Sequence, residues 1–414
     1  MKKIYLLSIA SFFCVGSIFA QKNIVKDANR ALKSGDLTEA RTLIKQALEN
    51  PETANDPETW KILGDIGNKA FDDERTKEML QKPNDKDAMF NGLMESYAPY
   101  VKADELGQAS GKNKVRKDIM SILKANHPFF INGGIHYNDK KELGKASEFF
   151  EAYWNIPSLP MFQGSKDFNL DSTYQTIKYY SIITAIQDKK HDRAINLIKR
   201  AISEPFIANS AYKESDLYEL LASEYLSSGD TVQYTTCLND GATKFPKSKY
   251  FIPNLINSYI QKGENAKALA YLDKAIANDP SNACDLNSVK AAIFADKKDY
   301  ATAQGEYNKA LQSDPNCERA LEGLGVSYIL QAQEVREQNT TDRAKMLAND
   351  KAAVEYYQKS LPLLEKLRSL LEARKDDQSI NSLLMKLRNV YYNLSNLGVD
   401  KTAQLKEVEG KLGM

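Results

Sequence analysis

The stretch GENAKALAYLDKAIANDP, residues 263–280, decides the fold of this chain. From Gly263 the steps are five to Ala268, four to Leu272, three to Ala275 and five to Pro280. Lys298, Ala303, Tyr307, Ala310 and Pro315 repeat those steps further on, and Gly229, Tyr234, Leu238, Gly241 and Pro246 repeat them upstream. Each set reads as a turn followed by a helix carrying a small, a large and a small residue on one face. Small side chains let two antiparallel helices approach closely, and the large one fills the space beside the crossing. Proline then ends the unit, because the residue before it is biased away from helix.

The segment before each turn carries a second pattern. Ile252, Leu255, Ile256 and Tyr259 precede Gly263, and Tyr218, Leu221, Ala222 and Tyr225 precede Gly229. Steps of three, one and three mark one face of a helix. The same face returns at Leu321, Leu324, Gly325 and Tyr328, more loosely at Phe130, Gly134 and Tyr137, and half of it at Trp60, Leu63 and Gly64. This resembles the tetratricopeptide repeat, a helix–turn–helix unit of about 34 residues. The resemblance implies an all-α, right-handed superhelical solenoid of about eight such units in one continuous stack.

Working outward, the match is regular over residues 208–317 and degenerate over 21–207. Gly35, Ala40, Ile44, Ala47 and Pro51 form one weaker set. Ala146, Phe150 and Tyr153 close at Pro157, and Ala194, Ile198 and Ala201 close at Pro205. The charged segment Asp72 to Asp87, with Pro83, is expected to interrupt its unit as a loop or short helix. Ser158 to Ser172 is expected as a long connection. In the C-terminal part, residues 318–414, 25 residues separate Tyr328 from Ala353 where a standard unit has nine. Both helices there are expected to lengthen into a projecting hairpin. Pro362 is expected to kink or break the second of them, and Thr402 to Leu412 is expected as a capping helix.

Residues 1–20 read as a signal peptide: Lys2-Lys3, an apolar run, and a small residue at Ala20 before Gln21. Phe13 precedes Cys14 where a lipoprotein signal needs a small residue, so no lipid attachment is expected. A leader ending Phe19-Ala20-Gln21 resembles those of Bacteroidota envelope proteins. The expected location is the periplasm or the periplasmic face of the outer membrane, with peripheral association there and no integral span. Removing Lys2 and Lys3 turns the formal charge from +1 to −1, which leaves no basic excess for nucleic acid. Of the remaining cysteines, Cys284 and Cys317 fall one repeat apart. Packed helices lie about 8–10 Å apart, beyond the reach of a disulfide, so both are expected as small apolar packing residues.

No catalytic or metal-binding motif stands out in the sequence, and the chain is expected to be non-enzymatic, with no cofactor and no metal. His127 precedes Pro128 at an expected helix start, His136 adjoins Tyr137, and His191 sits in a turn; all three are expected at the surface or in caps. In tetratricopeptide proteins the concave face, lined by first helices, holds a segment of another protein. The corresponding positions between the packing residues are Glu219, Ser223 and Leu226; Asn257, Ile260 and Gln261; and Glu322, Val326 and Ile329. The leading expectation is therefore a protein–protein interaction scaffold or adaptor of the cell envelope. The alternative is a glycan-binding or nutrient-uptake accessory protein, with Phe162 and Trp154 as stacking residues.

Overall fold

The computed structural model describes residues 23–338 and 340–414. These are helical almost throughout, and no strand occurs among them. They divide into two compact units, residues 1–237 and 238–414. The export signal read in residues 1–20 lies outside the described residues.

In the first unit a helix through residues 23–34 (α1) packs on Leu37–Leu48 (α2). Ala28, Ala31, Leu32, Ala40 and Ile44 share a core with Ile62 and Ile66. A short helix Pro51–Ala54 (α3) leads into the long pair Pro57–Met79 (α4) and Lys86–Ala109 (α5). Then come Arg116–Asp139 (α6) and Leu143–Asn155 (α7), followed by Ser172–Gln187 (α8) and His191–Ser203 (α9). Glu214–Ser227 (α10) is followed by Thr231–Lys244 (α11), within which the first unit ends and the second begins. The second unit continues with Phe251–Gln261 (α12), Asn265–Asn278 (α13), Ala283–Asp296 (α14) and Tyr300–Ser313 (α15). Its last four helices are Glu318–Arg336 (α16), Arg343–Arg374 (α17), Asp377–Asn396 (α18) and Thr402–Leu412 (α19).

The small–large–small faces are buried where the spacing places them. Ala40, Ile44 and Ala47; Ala194, Ile198 and Ala201; Ala268, Leu272 and Ala275; and Ala303, Tyr307 and Ala310 all lie in the interior. The glycines on these faces mark the closest approaches. A Cβ on Gly134 would lie 2.3 Å from the Phe150 ring, and one on Gly241 the same distance from Phe251. At the α4–α5 crossing, a Cβ on Gly67 would meet the backbone of Gly92 and Ser96 at 2.8 and 2.7 Å, so two backbones touch there.

The turn inside most helix pairs has one construction. The residue after the first helix takes a left-handed conformation: Gly35, Gly229 and Gly263 in some units, Gln81, Lys141, Lys189 and Lys298 in others. Its N–H and the next one fold back on the last carbonyls, as Gly263 to Ile260 and Glu264 to Tyr259, or Lys141 to Asn138 and Glu142 to Tyr137. This satisfies carbonyls that a helix end otherwise leaves unpaired. Aspartates start many of the helices. Asp36, Asp85, Asp171, Asp299 and Asp376 each accept a hydrogen bond from a first-turn N–H, a preferred cap geometry.

Four expectations change. The segment from Asp72 is not a loop: α4 runs through it to Met79. No proline or glycine intervenes before Pro83, Phe71 anchors that end in the core, and Arg75 lies 5.5 and 5.0 Å from the Phe71 and Phe129 rings. Lys69–Asp73 and Lys77–Glu74 pairs line its exposed side. Pro362 does not break α17. Leu361, Leu364 and Leu367 on either side are buried in one cluster, which offsets a proline cost of about 3 kcal/mol. His127 and Pro128 lie inside α6 rather than at a helix start. Cys284 and Cys317 form a disulfide, with Cα atoms 6.0 Å apart. The mean helix spacing misled here, because Cys284 is in the first turn of α14 and Cys317 caps α16. The N-terminal ends of the two helices converge there.

The 3-10 turn Ile156–Ser158 leads into the 158–172 connection, in which a second 3-10 turn, Pro160–Phe162, buries Met161 and Phe162. Helices α16 and α17 are both extended, at 19 and 32 residues, and α19 occupies Thr402–Leu412.

Candidate partner-binding cleft

A cleft of about 800 Å³ opens in the second unit along the first turns of successive first helices. Helix α12 contributes Ile252, Pro253, Ile256 and Asn257, and α14 contributes Asp285, Leu286 and Val289. Arg319, in the first turn of α16, and Lys247 and Lys249, before α12, stand at its rim. Leu272 and Ala275 close the floor from α13, with Asn278, Asp279 and Asn282 at its end.

The floor is apolar because α12 is apolar on two sides. Leu255 and Tyr259 are buried toward the repeat core and Ile256 is buried where it borders the cleft, while Ile252 is half-buried and Pro253 exposed. The rim is charged. Asp285 and Arg319 face one another at 3.7 Å, each more than half exposed. Asp279 accepts hydrogen bonds from the Ser281 hydroxyl, the Ser281 N–H and the Asn282 amide, which hold its carboxyl below the usual range. Lys247 makes no ion pair among the described residues.

The nine positions read from the sequence are dispersed. Asn257 lines the cleft, and Ile260 and Gln261 follow it on α12, half-buried and exposed respectively. Val326 is half-buried, and Glu322 pairs with Lys386 at 3.1 Å. Ile329 is a correction: it is buried with Ala332, Ala353, Tyr357 and Leu361. The lengthened α16 gains a second packed face against α17, which takes in the position after Tyr328. In the first unit Ser223 and Leu226 are exposed and Glu219 is half-buried. The cleft also takes in Ile252, Pro253, Leu286, Val289 and Arg319, which are not among the nine positions. Ile252 and Ile256 were assigned to the packing face alone, although Ile252 with Pro253 already placed apolar surface on a second side of the first turn.

The histidines are tied into the packing. His127 is buried, with its ring stacked on Tyr153 at 3.9 Å and Nε2 2.9 Å from the Tyr153 carbonyl. This corrects the surface assignment. Burial pushes its pKa down to about 4, against the partial opposition of that carbonyl. His136 lies 2.7 Å from Asp87, whose carboxyl is held at about 2 by hydrogen bonds from Lys140 and His136. His191 Nδ1 lies 2.8 Å from Glu224. Among the described residues no group of three or more His, Cys, Asp or Glu side chains could hold a metal ion, and no helix is long and apolar enough to cross a membrane. Trp154 and Phe162, the sugar-stacking candidates, are both buried, so neither presents a ring face to a glycan.

No family model and no curated protein matches the sequence. Among solved structures, the C-terminal part of a TPR repeat-containing protein from Cytophaga hutchinsonii is 14% identical over 68% of this chain and 98% of that one, with a TM-score of 0.35. A TPR repeats protein from Bacteroides fragilis is 16% identical over 62% of this chain and 97% of its own, with a TM-score of 0.32. A MamA mutant is 17% identical over 48% and 92%, with a TM-score of 0.31. By its helix pairs, their small–large–small crossings and their left-handed turns, the chain is an all-α, tetratricopeptide-like repeat protein.

Proposed function

We propose that this protein is a non-enzymatic scaffold of the cell envelope that holds a segment of another protein in the cleft between α12 and α14. The observation that carries the reading is the cleft itself, which combines an apolar floor with Lys247 at the rim. A clustered apolar surface rimmed by polar groups is a common signature of a binding site. The matching segment is apolar where it meets Ile252, Ile256, Leu286 and Val289, and acidic toward Lys247. Two features support the envelope location: the signal-peptide pattern of residues 1–20 and the Cys284–Cys317 bridge, since disulfides persist in oxidising compartments.

Site-specific crosslinking tests the reading. A photoreactive residue at Asn257, in cells making the full chain, should trap one discrete protein. The same probe at Lys274, exposed on α13 and outside the cleft, should not. Adding Val289→Asp should abolish the Asn257 product. Equal trapping at both positions, or a product insensitive to Val289→Asp, would reject the cleft as the binding surface.

A further inference from the structure

The disulfide and the cleft share a wall. Cys284 is followed directly by Asp285 and Leu286, and Arg319 lies two residues after Cys317; all three neighbours line the cleft. The bridge joins the N-terminal ends of α14 and α16, which belong to successive repeats. Cys317, Ala320 and Leu324 share a buried cluster with Ala291 of α14, but the polar ties beside the bridge are weak. The Asp285–Arg319 pair stands at 3.7 Å with both side chains mostly exposed, a setting in which ion pairs contribute little. Ser288 Oγ approaches Cys317 Sγ at 3.8 Å. Opening the bridge removes the one covalent tie between these two helix starts, which carry Asp285 and Arg319.

We propose that the Cys284–Cys317 bridge is a redox-sensitive brace on the cleft: closed, it holds the α14–α16 wall in its binding shape, and reduction releases that wall and weakens partner capture. The inference rests on the cleft being the binding site. The reductant is a dithiol. Its first thiolate attacks Sγ of Cys284, which is half-buried, whereas Cys317 is fully buried. The S–S bond breaks, and Cys317 leaves as a thiolate and takes up a proton. The second thiol then displaces Cys284 from the mixed disulfide, so that two electrons and two protons pass to the protein and the reductant departs as a disulfide. Cys237, buried and outside the disulfide, takes no part.

Methyl-labelled protein, oxidised and then treated with dithiothreitol, tests the brace without any partner. Alkylation in denaturant without reductant should label neither Cys284 nor Cys317 in the oxidised sample and both after treatment; labelling of both before treatment overturns the proposal. On reduction the Ile252, Ile256, Leu286 and Val289 methyl signals should shift. Those of Ile44 and Ile198 in the other unit, and of Leu387 in the core of the second, should stay. Unmoved cleft methyls with the bridge open overturn the proposal. So does loss of the Leu387 signal together with them, which marks a staple for the whole unit rather than a brace on the cleft. A fluorescein-labelled peptide, selected by phage display on the oxidised protein and displaced by Val289→Asp, should bind roughly tenfold or more weakly after reduction. It should bind equally weakly to the Cys284→Ser/Cys317→Ser variant. Unchanged affinity with shifted methyls overturns the regulation and leaves the cleft reading standing. If no such peptide can be selected, the cleft reading fails and the proposal with it.

Discussion

Lys178 Nζ lies 2.6 Å from Glu204 Oε2, with the lysine side chain 2% exposed. The pair joins α8 to the end of α9, and Trp154 of α7 closes over it. The indole N–H donates to the same carboxylate oxygen at 3.0 Å, and the Arg200 guanidinium stands 4.0 Å from the Trp154 ring centroid. One carboxylate therefore anchors a buried cation, an indole and a second cation from Arg200 at 3.1 Å. Burial works to raise the Glu204 pKa, but the Lys178 and Trp154 hydrogen bonds outweigh it and hold the carboxyl below its usual range.

Removing the acid should cost more than removing the base. Glu204→Ala strands a buried ammonium and should destabilise the first unit by about 3–5 kcal/mol. Lys178→Met leaves Glu204 with Trp154 and Arg200 and should cost less. The double variant Lys178→Met/Glu204→Gln should recover a large part of the Glu204→Ala loss, because no unpaired charge remains. Both tryptophans of the chain, Trp60 and Trp154, lie in this unit, so tryptophan fluorescence in urea reads it selectively. A Glu204→Ala variant as stable as the wild type would mean that the ammonium does not need its carboxylate.

His127 should make the same unit acid-sensitive. Its folded pKa, about 4, lies below the ordinary value of 6.5. The unfolded chain therefore binds more protons between those values, and stability falls as pH falls through that window. The full span corresponds to about 3 kcal/mol. His127→Gln removes the titration, so its fluorescence-detected melting temperature should change less between pH 7 and pH 4.5 than that of the wild type. The Glu204 carboxyl acts in the same direction but lower. Its depressed pKa gives stability that is present above about 4.5 and lost below, so it separates from the histidine at the acid end. A wild type and a His127→Gln variant with parallel profiles from pH 7 to 4.5 would show that the imidazole titrates normally.

Much of the fold was legible because it is written in side-chain volume. Ala303, Tyr307 and Ala310 can repeat Ala268, Leu272 and Ala275 only if the same crossing recurs. What stayed hidden depended on distances that spacing does not encode. The 33 residues from Cys284 to Cys317 gave the right repeat but the wrong separation, since helices packed apart along their bodies can still meet at their ends. The charges from Asp72 to Glu78 resembled a loop, although they are good helix formers pinned by Phe71. Among the groove positions, Asn257 falls on the cleft and Ile329 in the core for one reason. A repeat pattern identifies the packed face of an average unit, and α16 is longer than average.

Two lysines hold strained turns that glycine would relax. Lys141 and Lys189 have φ of 63° and 57°, in turns where Gly35, Gly229 and Gly263 do the same work. A left-handed residue with a Cβ costs about 1–2 kcal/mol, and glycine gives back roughly half of that gain through its freer unfolded chain. Lys141→Gly and Lys189→Gly should each stabilise the first unit by about 0.5–1 kcal/mol, visible as a higher urea midpoint with an unchanged slope. Lys141→Ala keeps the Cβ and should be near neutral. A loss of stability in both glycine variants would show that these side chains contribute more than their backbone strain costs.

Ala275 and Ala310 occupy equivalent places by spacing, yet they should not respond alike. Ala310 is fully buried among Ala291, Tyr307, Ala320 and Leu324, so Ala310→Leu overpacks a closed crossing and should cost about 1–3 kcal/mol. Ala275 borders the cleft. A leucine there can extend into open space, so it should cost clearly less while narrowing the binding floor. The hairpin tip supplies the contrast in the other direction. Residues 341–348 are exposed throughout, whereas Ala353 and Tyr357 beyond them are in the core. Excising residues 337–348 and closing the gap with a short Gly-Ser turn should change the stability of the second unit by no more than about 0.5 kcal/mol. Hydrogen exchange on peptides from α14 to α18 would rank the three variants. Equal loosening by Ala275→Leu and Ala310→Leu would mean that the cleft is closed in solution. Collapse on excising the tip would mean that the hairpin supports its unit rather than projecting from it.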